Sequence, residues 1–203
     1  MAEKPTIVAI SCVANQSVLT GVQEVAEQLW PGVTLIIAQS QSTFLGLKNF
    51  YRQPEKLGVD RWLALIAVRE LSSYPVWVID CGTAITIDYL NAEGQHLGGV
   101  ICPGLALMKQ SLALGTEQLS STSSKSKVGL ANHTRAAIYS GTLLAAAGLI
   151  EKMISTQDRR GIKVYLTGGD AETIAGQLPM DSVLQPDLVL RGLLAVVREH
   201  TRA

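Results

Sequence analysis

Cysteine, aromatic residues and an excess of charge of either sign are all scarce in this sequence. Its three cysteines, Cys12, Cys81 and Cys102, form no CxxC pair, which argues against a zinc site and against a disulfide framework. Lys and Arg together number 17, as do Asp and Glu, so the formal net charge is zero. A balanced charge gives no electrostatic reason for binding nucleic acid or an anionic membrane, and we expect neither as a partner.

Several sequence signals of other protein classes are also missing. No uninterrupted apolar stretch approaches the roughly 18 residues that cross a membrane, and the start of the chain has no basic region followed by a cleavage site. We therefore expect a cytoplasmic protein. The chain has neither G-x-x-x-x-G-K-[ST] nor G-x-G-x-x-G, which argues against a P-loop and against a Rossmann site.

The hydrophobic pattern predicts a mixed α/β protein. Strands are predicted at 6–13, 34–38, 76–80, 84–90, 96–102 and 163–167, and helices at 17–30, 59–71, 105–119, 134–153, 171–177 and 187–200. Ser17 is predicted to cap the first helix, 40–54 is expected to be irregular, and 120–127 is expected to be a loop. The strands between 76 and 102 are separated by short turns, which is typical of an antiparallel meander.

The segment from Asp80 to Thr83 carries the clearest chemistry. An acidic residue ends an apolar strand and is followed by Gly82 and Thr83, so a carboxylate lies beside exposed backbone N–H groups and a hydroxyl. Such a turn can hold a cation through Asp80 while its donors bind phosphate oxygens. The alternative is an ordinary hairpin turn, because short motifs recur by chance. The three scattered histidines, His96, His133 and His200, are expected to be structural or exposed.

Five ordered segments resemble the signature motifs of one family. They are YRQPEKLGVDR at 51–61, DCGTAITID at 80–88, GGVICPG at 98–104, NHTRAAIYSG at 132–141 and LTGGDA at 166–171. Each is weak alone, but together and in this order the sequence resembles the type III pantothenate kinases.

This resemblance implies an actin-like ATPase (ribonuclease-H-like) fold, an α/β fold with a mixed sheet flanked by helices. It implies two domains, with 1–75 as the remainder of the N-terminal one and 76–203 as the C-terminal one. The implied enzyme is a kinase that transfers a phosphoryl group from ATP to pantothenate, the first step of coenzyme A biosynthesis. The alternative is a catalytically impaired accessory or regulatory homologue that retains the fold.

The resemblance also assigns roles to individual residues. Asp60 is implied to be the catalytic base, and the substrate contacts would be Tyr51, Gly58, Val59, Asp60, Arg61 and Thr134. ATP would be contacted by Gly82, Thr83, Gly168 and Gly169, and Asp80 would hold a monovalent cation, K⁺ or NH₄⁺, with Mg²⁺ as second cofactor. Similar proteins are homodimers. An alternative for Asp60 and Arg61 is a surface ion pair within a helix, worth a few tenths of a kcal/mol.

One family motif has no counterpart in the sequence. Family members begin with a strand that carries D-x-G-N-[ST], whose turn binds ATP phosphates, whereas this sequence begins with TIVAISCVANQ at 6–16. We therefore expect the first domain to be incomplete in this chain.

Overall fold

The computed structural model describes residues 4–72, 75–114, 127–157 and 161–202 of the protein. In chain order the elements are β1 (Ile7–Ile10), α1 (Gln16–Leu29), β2 (Thr34–Ile37), β3 (Thr43–Phe44), β4 (Leu47–Lys48), α2 (Val59–Leu71), β5 (Val76–Cys81), β6 (Ala84–Leu90), β7 (His96–Pro103), α3 (Leu105–Leu114), α4 (Thr134–Ile154), β8 (Lys163–Thr167), α5 (Ala171–Ala175), β9 (Val183–Leu184) and α6 (Leu188–His200). The end of the third predicted helix and the loop predicted at 120–127 lie outside the described residues, apart from Lys127.

The chain divides into two compact units. Unit 1 comprises Met1–Leu71, Gly94–His96 and Asp187–Ala203, and unit 2 comprises Ser72–Glu93 and Leu97–Pro186. The domain boundary expected between residues 75 and 76 stays a prediction. The compact units differ from that division chiefly in the last segment, which groups with unit 1.

In unit 1, the helix α1 joins two parallel strands. Ile7 pairs with Thr34 and Ile10 with Ile37 along β1 and β2. The cap of α1 is Asn15, whose side chain accepts a hydrogen bond of 3.1 Å from the backbone N–H of Val18. The prediction of Ser17 as the cap is therefore wrong. Asn15 has the extended backbone that a cap needs, whereas Ser17 already lies inside the helix.

The segment 40–54, expected to be irregular, contains the short hairpin of β3 and β4. Its turn places Leu45 at φ 46° and Gly46 at φ 80°. Two consecutive residues with positive φ suit the twist of a tight hairpin, but Leu is a rare residue in that conformation. The sequence therefore gave little signal for this turn.

Helices α2 and α6 pack closely in unit 1. A Cβ atom on Gly192 would lie 2.0 Å from the carbonyl oxygen of Leu63, so the α6 backbone crosses α2 at a point that admits only glycine. Trp62, Leu63 and Leu188 are almost fully buried. This packing holds α2, and with it Asp60 in the first turn, firmly against the rest of unit 1.

Unit 2 is built on a five-stranded mixed sheet of order β7-β6-β5-β8-β9. Strand β5 pairs antiparallel with β6 and parallel with β8, and β8 pairs parallel with β9. The first four side chains of β5 are buried, as expected for a central strand covered on both faces. Strands β5 and β6 form the antiparallel pair expected of the predicted meander.

Helix α4 supplies much of the unit 2 core. Its side chains Leu143, Ala146, Ile150 and Ile154 pack with residues of β5, β6 and β8. Within the described ranges, α4 is the one helix whose 21 residues are long and apolar enough to cross a membrane by length and composition. A helix in the core of a globular domain meets the same criterion, and the packing of α4 accounts for its apolar character.

Candidate active-site residues in the two units

In unit 1, Tyr51 and Arg61 form a direct pair. The Nη1 atom of Arg61 donates a hydrogen bond of 2.8 Å to the Tyr51 hydroxyl, and the Arg61 guanidinium carbon lies 5.6 Å from the centre of the Tyr51 ring. Asn49 shapes the loop before this pair, because its Oδ1 accepts from the Tyr51 N–H and its Nδ2 donates to the carbonyl of Pro54. Arg61 is only 8% exposed, so its charge is held in a defined position.

Asp60 lies in the first turn of α2, immediately before Arg61. The partial positive charge at a helix N-terminus favours a carboxylate there. The Ser11 hydroxyl, just after β1, donates a hydrogen bond to Oδ1 of Asp60. The alternative of an ion pair between Asp60 and Arg61 stays a prediction beside these contacts with Ser11 and Tyr51.

Gly58 directly precedes α2, and Val59 is the first residue of that helix. The Gly58 carbonyl accepts the N–H of Trp62, and a Cβ on Gly58 would meet only Arg61 Cδ, at 3.8 Å. Val59 is buried, so its side chain serves the core of unit 1. A substrate contact at Val59 would therefore have to use the backbone.

His96 also contacts Tyr51, although no functional role was predicted for it. Its ring stacks on Tyr51, with 6.1 Å between ring centres and 21° between ring planes, and it is 1% exposed. The backbone next to it is tied to β4, because Lys48 N–H donates to the Gly94 carbonyl. The expectation that His96 is structural or exposed is consistent with this buried position.

In unit 2, the turn after β5 is held by backbone contacts. Gly82 N–H donates to the Ala84 carbonyl, Gly104 N–H donates to the Thr83 carbonyl, and Asp170 N–H donates to the Cys81 carbonyl, at 2.9–3.1 Å. The Thr83 side chain is exposed at the tip of this turn. We refer to Asp80, Cys81, Gly82 and Thr83 as the β5–β6 turn.

Two glycines from distant segments of the sequence lie very close to the β5–β6 turn. A Cβ on Gly104 would lie 2.1 Å from the Gly82 carbonyl oxygen, and one on Gly168 would lie 2.6 Å from both the Asp80 Oδ1 and the Cys81 carbonyl oxygen. Gly168 also has φ 91°, which favours glycine. Sequence reasoning missed the role of Gly104, whose signal was the Pro-Gly pair at the end of the third motif.

Gly169 differs from its neighbour Gly168. It is exposed, and a Cβ placed on it would meet no atom within 4 Å. The structure thus gives Gly168 a packing role at the β5–β6 turn, whereas the predicted contact of Gly169 with ATP stays a prediction.

Cys81 lies inside the turn but cannot act as a nucleophile at neutral pH. Burial, with smaller contributions from the negative charges of Asp80 and Asp170, raises the pKa of the Cys81 thiol to about 12. A protonated, fully buried thiol is inert. Cys81 instead packs as a small apolar side chain in the core of unit 2.

The residues around Asp80 suit a cation with few protein ligands. A carboxylate among backbone carbonyl groups offers hard oxygen ligands. Within the described residues, no three His, Cys, Asp or Glu side chains lie close enough to hold a metal ion. Mg²⁺ commonly binds to one or two carboxylates together with substrate phosphates. A protein that binds Mg²⁺ with ATP therefore does not need a cluster of three such side chains.

Thr134 is the first residue of α4 and is exposed. The preceding His133 caps the helix, because its Nδ1 accepts the N–H of Ala136 at 3.3 Å. A cleft of about 650 Å³ lies beside this helix start and is lined by Lys127, Leu130, Ala131, Asn132, His133 and Ala136. Thr134 is outside that lining, and its predicted contact with substrate stays a prediction.

The protein has the actin-like ATPase fold. Its structure is similar to that of a conserved putative Baf family transcriptional activator from Campylobacter jejuni, with a TM-score of 0.68 and 22% identity, covering 100% of this chain and 86% of that one. It is also similar to the ethanolamine utilization protein EutJ from Carboxydothermus hydrogenoformans, with a TM-score of 0.51 and 15% identity, covering 87% of this chain and 71% of that one. At these identities the likeness concerns the fold alone.

The sequence model of type III pantothenate kinase matches residues 1–156. The type III pantothenate kinase of Nitrosococcus oceani is 39% identical, over 90% of this chain and 74% of its own length. That of Ectopseudomonas mendocina is 38% identical, over 80% of this chain and 68% of its own length. The chain belongs to the type III pantothenate kinase family, so the membership predicted from the five motifs is confirmed.

Proposed function

We propose that this protein phosphorylates pantothenate with ATP to give 4'-phosphopantothenate, the first step of coenzyme A biosynthesis. The observation that carries the proposal is the grouping of Asp60, Arg61 and Tyr51 in unit 1. A substrate with a primary alcohol and a carboxylate needs a base for the first and a cation for the second. These residues provide both.

Asp60 is the general base in this proposal. The alcohol oxygen of pantothenate forms a bond to the γ-phosphorus of ATP while the bond from that phosphorus to ADP breaks, and the alcohol proton passes to the Asp60 carboxylate. A carboxylate can accept a proton late in such a transfer. Because the transition state is loose, positioning of the alcohol contributes more than the strength of the base.

Arg61 and Tyr51 bind the substrate in this proposal. The Arg61 guanidinium carries a fork of donors that matches the two oxygens of a carboxylate. The Tyr51 hydroxyl holds that fork through the 2.8 Å hydrogen bond. Gly58, the Val59 backbone and Thr134 are further substrate contacts.

The β5–β6 turn of unit 2 binds ATP in this proposal. Thr83 contributes donors to the phosphates, Gly82 lets the backbone come close to them because it has no side chain, and Gly168 and Gly169 line the nucleotide. Asp80 holds a monovalent cation, K⁺ or NH₄⁺, through its carboxylate. Mg²⁺, when bound with ATP, supplies the neutralisation of phosphate charge that phosphoryl transfer requires.

The protein acts as a cytoplasmic homodimer in this proposal. In the middle of α4, from 137 to 148, the exposed residues are all small or apolar, namely Ala137, Gly141, Leu144, Ala145 and Gly148. A Cβ on Gly141 or Gly148 would meet no atom within 4 Å, so this face leaves room for a second helix. The balanced net charge fits the absence of nucleic acid and of membrane among the proposed partners.

A non-catalytic accessory role has no observation of its own in its favour. The likeness to the Campylobacter jejuni protein, whose description names a transcriptional activator, stands at 22% identity and concerns the fold. The kinase therefore remains the proposed function.

The test is ATP turnover measured with and without pantothenate, with the product identified by mass spectrometry. We expect turnover that depends on pantothenate. Asp60→Asn should lower kcat about 100-fold to 10,000-fold, because the variant loses its general base. Asp181→Asn, the same change at an exposed carboxylate, is the matched control and should leave kcat unchanged. Turnover that ignores pantothenate, or an Asp60→Asn variant with normal kcat, would contradict the proposal.

A further inference from the structure

Ser11 and Asp60 are 49 positions apart in the sequence, yet their side chains are hydrogen-bonded. Ser11 directly follows β1, and Asp60 lies in the first turn of α2. None of the five ordered segments described in the sequence analysis includes Ser11. The contact therefore links the proposed base to a residue that the proposed function leaves without a role.

Both ends of this contact are held in place by the packing of unit 1. The residue before Ser11, Ile10, is buried and pairs with Ile37, and its carbonyl accepts the N–H of Ala38 at 2.9 Å. At the other end, α2 is fixed by its close crossing with α6 at Gly192. Because the backbone at both ends is fixed, the Ser11 hydroxyl has little freedom to move. It can therefore hold the Asp60 carboxylate in one orientation.

Ser11 and Asp60 have different hydrogen-bonding roles. A serine hydroxyl can donate one hydrogen bond, and an ionised carboxylate can only accept. Here the hydroxyl donates to Oδ1 of Asp60, which restrains rotation of the carboxylate about its last side-chain bond. The oxygen Oδ2 then keeps a constant direction.

We propose that Ser11 is a positioning residue for the proposed base, because its hydroxyl holds Asp60 so that Oδ2 is the oxygen that takes the substrate proton. The inference rests on the proposed function. Ser11 itself neither gains nor loses a proton in the reaction. Its loss should reduce kcat, because a base that is misplaced by about 1 Å can cost a factor of about 100.

The competing explanation is that the hydrogen bond only ties β1 to α2. A purely structural tie predicts lower stability with unchanged kcat per folded molecule. A positioning role predicts a loss of kcat with the Michaelis constants for pantothenate and ATP nearly unchanged, since Ser11 is assigned no contact with either substrate.

The experiment compares Ser11→Thr with Ser11→Val, two variants of nearly equal shape that differ in the hydroxyl. We expect Ser11→Thr to keep most of the wild-type kcat and Ser11→Val to lose about tenfold to 100-fold, with each Michaelis constant within about twofold of wild type. Urea unfolding of both variants measures the structural contribution separately. Ser17→Ala is the control, since it removes another serine hydroxyl of unit 1, one that is exposed, donates to Asn15 at 2.7 Å and has no role in the proposed function.

Equal kcat values for the Thr and Val variants would overturn the inference, as would a loss that appears only in the Michaelis constants. The outcomes also separate this inference from the proposed function. If the wild type is active and Asp60→Asn is not, equal Thr and Val variants reject the role of Ser11 alone. If the wild type shows no pantothenate-dependent turnover, the proposed function and the role of Ser11 fall together.

Discussion

The candidate cluster of unit 1 is made of side chains, whereas the β5–β6 turn of unit 2 is made of backbone. In unit 1, hydroxyl, guanidinium and carboxylate groups contact one another directly. In unit 2, carbonyl and N–H groups of the turn meet glycines from two other segments. The difference fits two recognition tasks, since a particular small molecule is distinguished by side-chain chemistry, while phosphate oxygens are bound well by backbone N–H groups.

The largest effect on stability is expected where the backbone of unit 2 is closest. Gly104→Ala would place a Cβ 2.1 Å from the Gly82 carbonyl oxygen, so the β5–β6 turn must shift. We expect the free energy of unfolding to fall by about 3 kcal/mol, at the upper end for overpacking, and ATP turnover to fall with it. Urea unfolding measures the first and the coupled assay the second.

The control for this change is Gly21→Ala in α1, where a Cβ would meet no atom within 4 Å. There alanine should stabilise the helix by about 0.5–1 kcal/mol. A Gly104→Ala protein as stable as the wild type would show that the turn does not depend on this close approach.

A smaller and more selective effect is expected in unit 1. Tyr51→Phe removes the acceptor of the Arg61 hydrogen bond and keeps the ring. Hydrogen bonds to charged groups contribute about 1.5–3 kcal/mol, so the KM for pantothenate should rise about tenfold or more while the KM for ATP and kcat change little. Steady-state kinetics with each substrate varied in turn provide the measurement.

Tyr89→Phe is the matched control, because Tyr89 belongs to unit 2 and packs against Trp77 with 4.8 Å between ring centres. It should leave both Michaelis constants unchanged. An unaltered KM for pantothenate in Tyr51→Phe would show that substrate binding does not depend on the hydrogen bond between Tyr51 and Arg61. It would also argue against side-chain recognition of the substrate in unit 1.

The smallest effect at neutral pH concerns Cys81. Because burial and nearby carboxylates raise its pKa from 9.0 to about 12, the folded protein keeps a proton that the unfolded chain releases above about pH 9. The contribution of this thiol to stability is therefore constant below pH 9 and is lost as the pH rises from 9 towards 12. Iodoacetamide at pH 8 should label the partly exposed Cys12 and spare Cys81 until urea unfolds the chain. Peptide mapping by mass spectrometry identifies the labelled residue, and labelling of Cys81 in the native protein would contradict its burial.

The sequence predicted the long elements well. Helix α2 has the predicted bounds because its apolar residues recur with helical spacing and continue to Leu71. The pair β5 and β6 was found from two runs rich in apolar and β-branched residues around a glycine turn. These signals are local in the sequence, so they can be recognised without knowledge of the fold.

Local sequence signals gave a wrong prediction or none in two places. In one, two residues could each cap the helix, and in the other a residue adopts a backbone conformation that is rare for its type. Ser17 and Asn15 are both good helix caps, and only the backbone angles show that Asn15 takes the role. The hairpin at β3 and β4 uses Leu45 with positive φ, which no propensity would favour. In both cases the local preferences were nearly balanced or were overridden by tertiary contacts.

By itself the sequence determined the family, the order of the long elements and the chemical groups available at positions such as 60 and 80. Only the tertiary structure decided which groups touch, as when Ser11 meets Asp60 or when Gly104 and Gly168 meet the β5–β6 turn. The physical reason is that motif spacing and hydrophobic period describe neighbours along the chain. Contacts between distant segments depend on how whole helices and strands pack, and a single sequence carries no direct record of that packing.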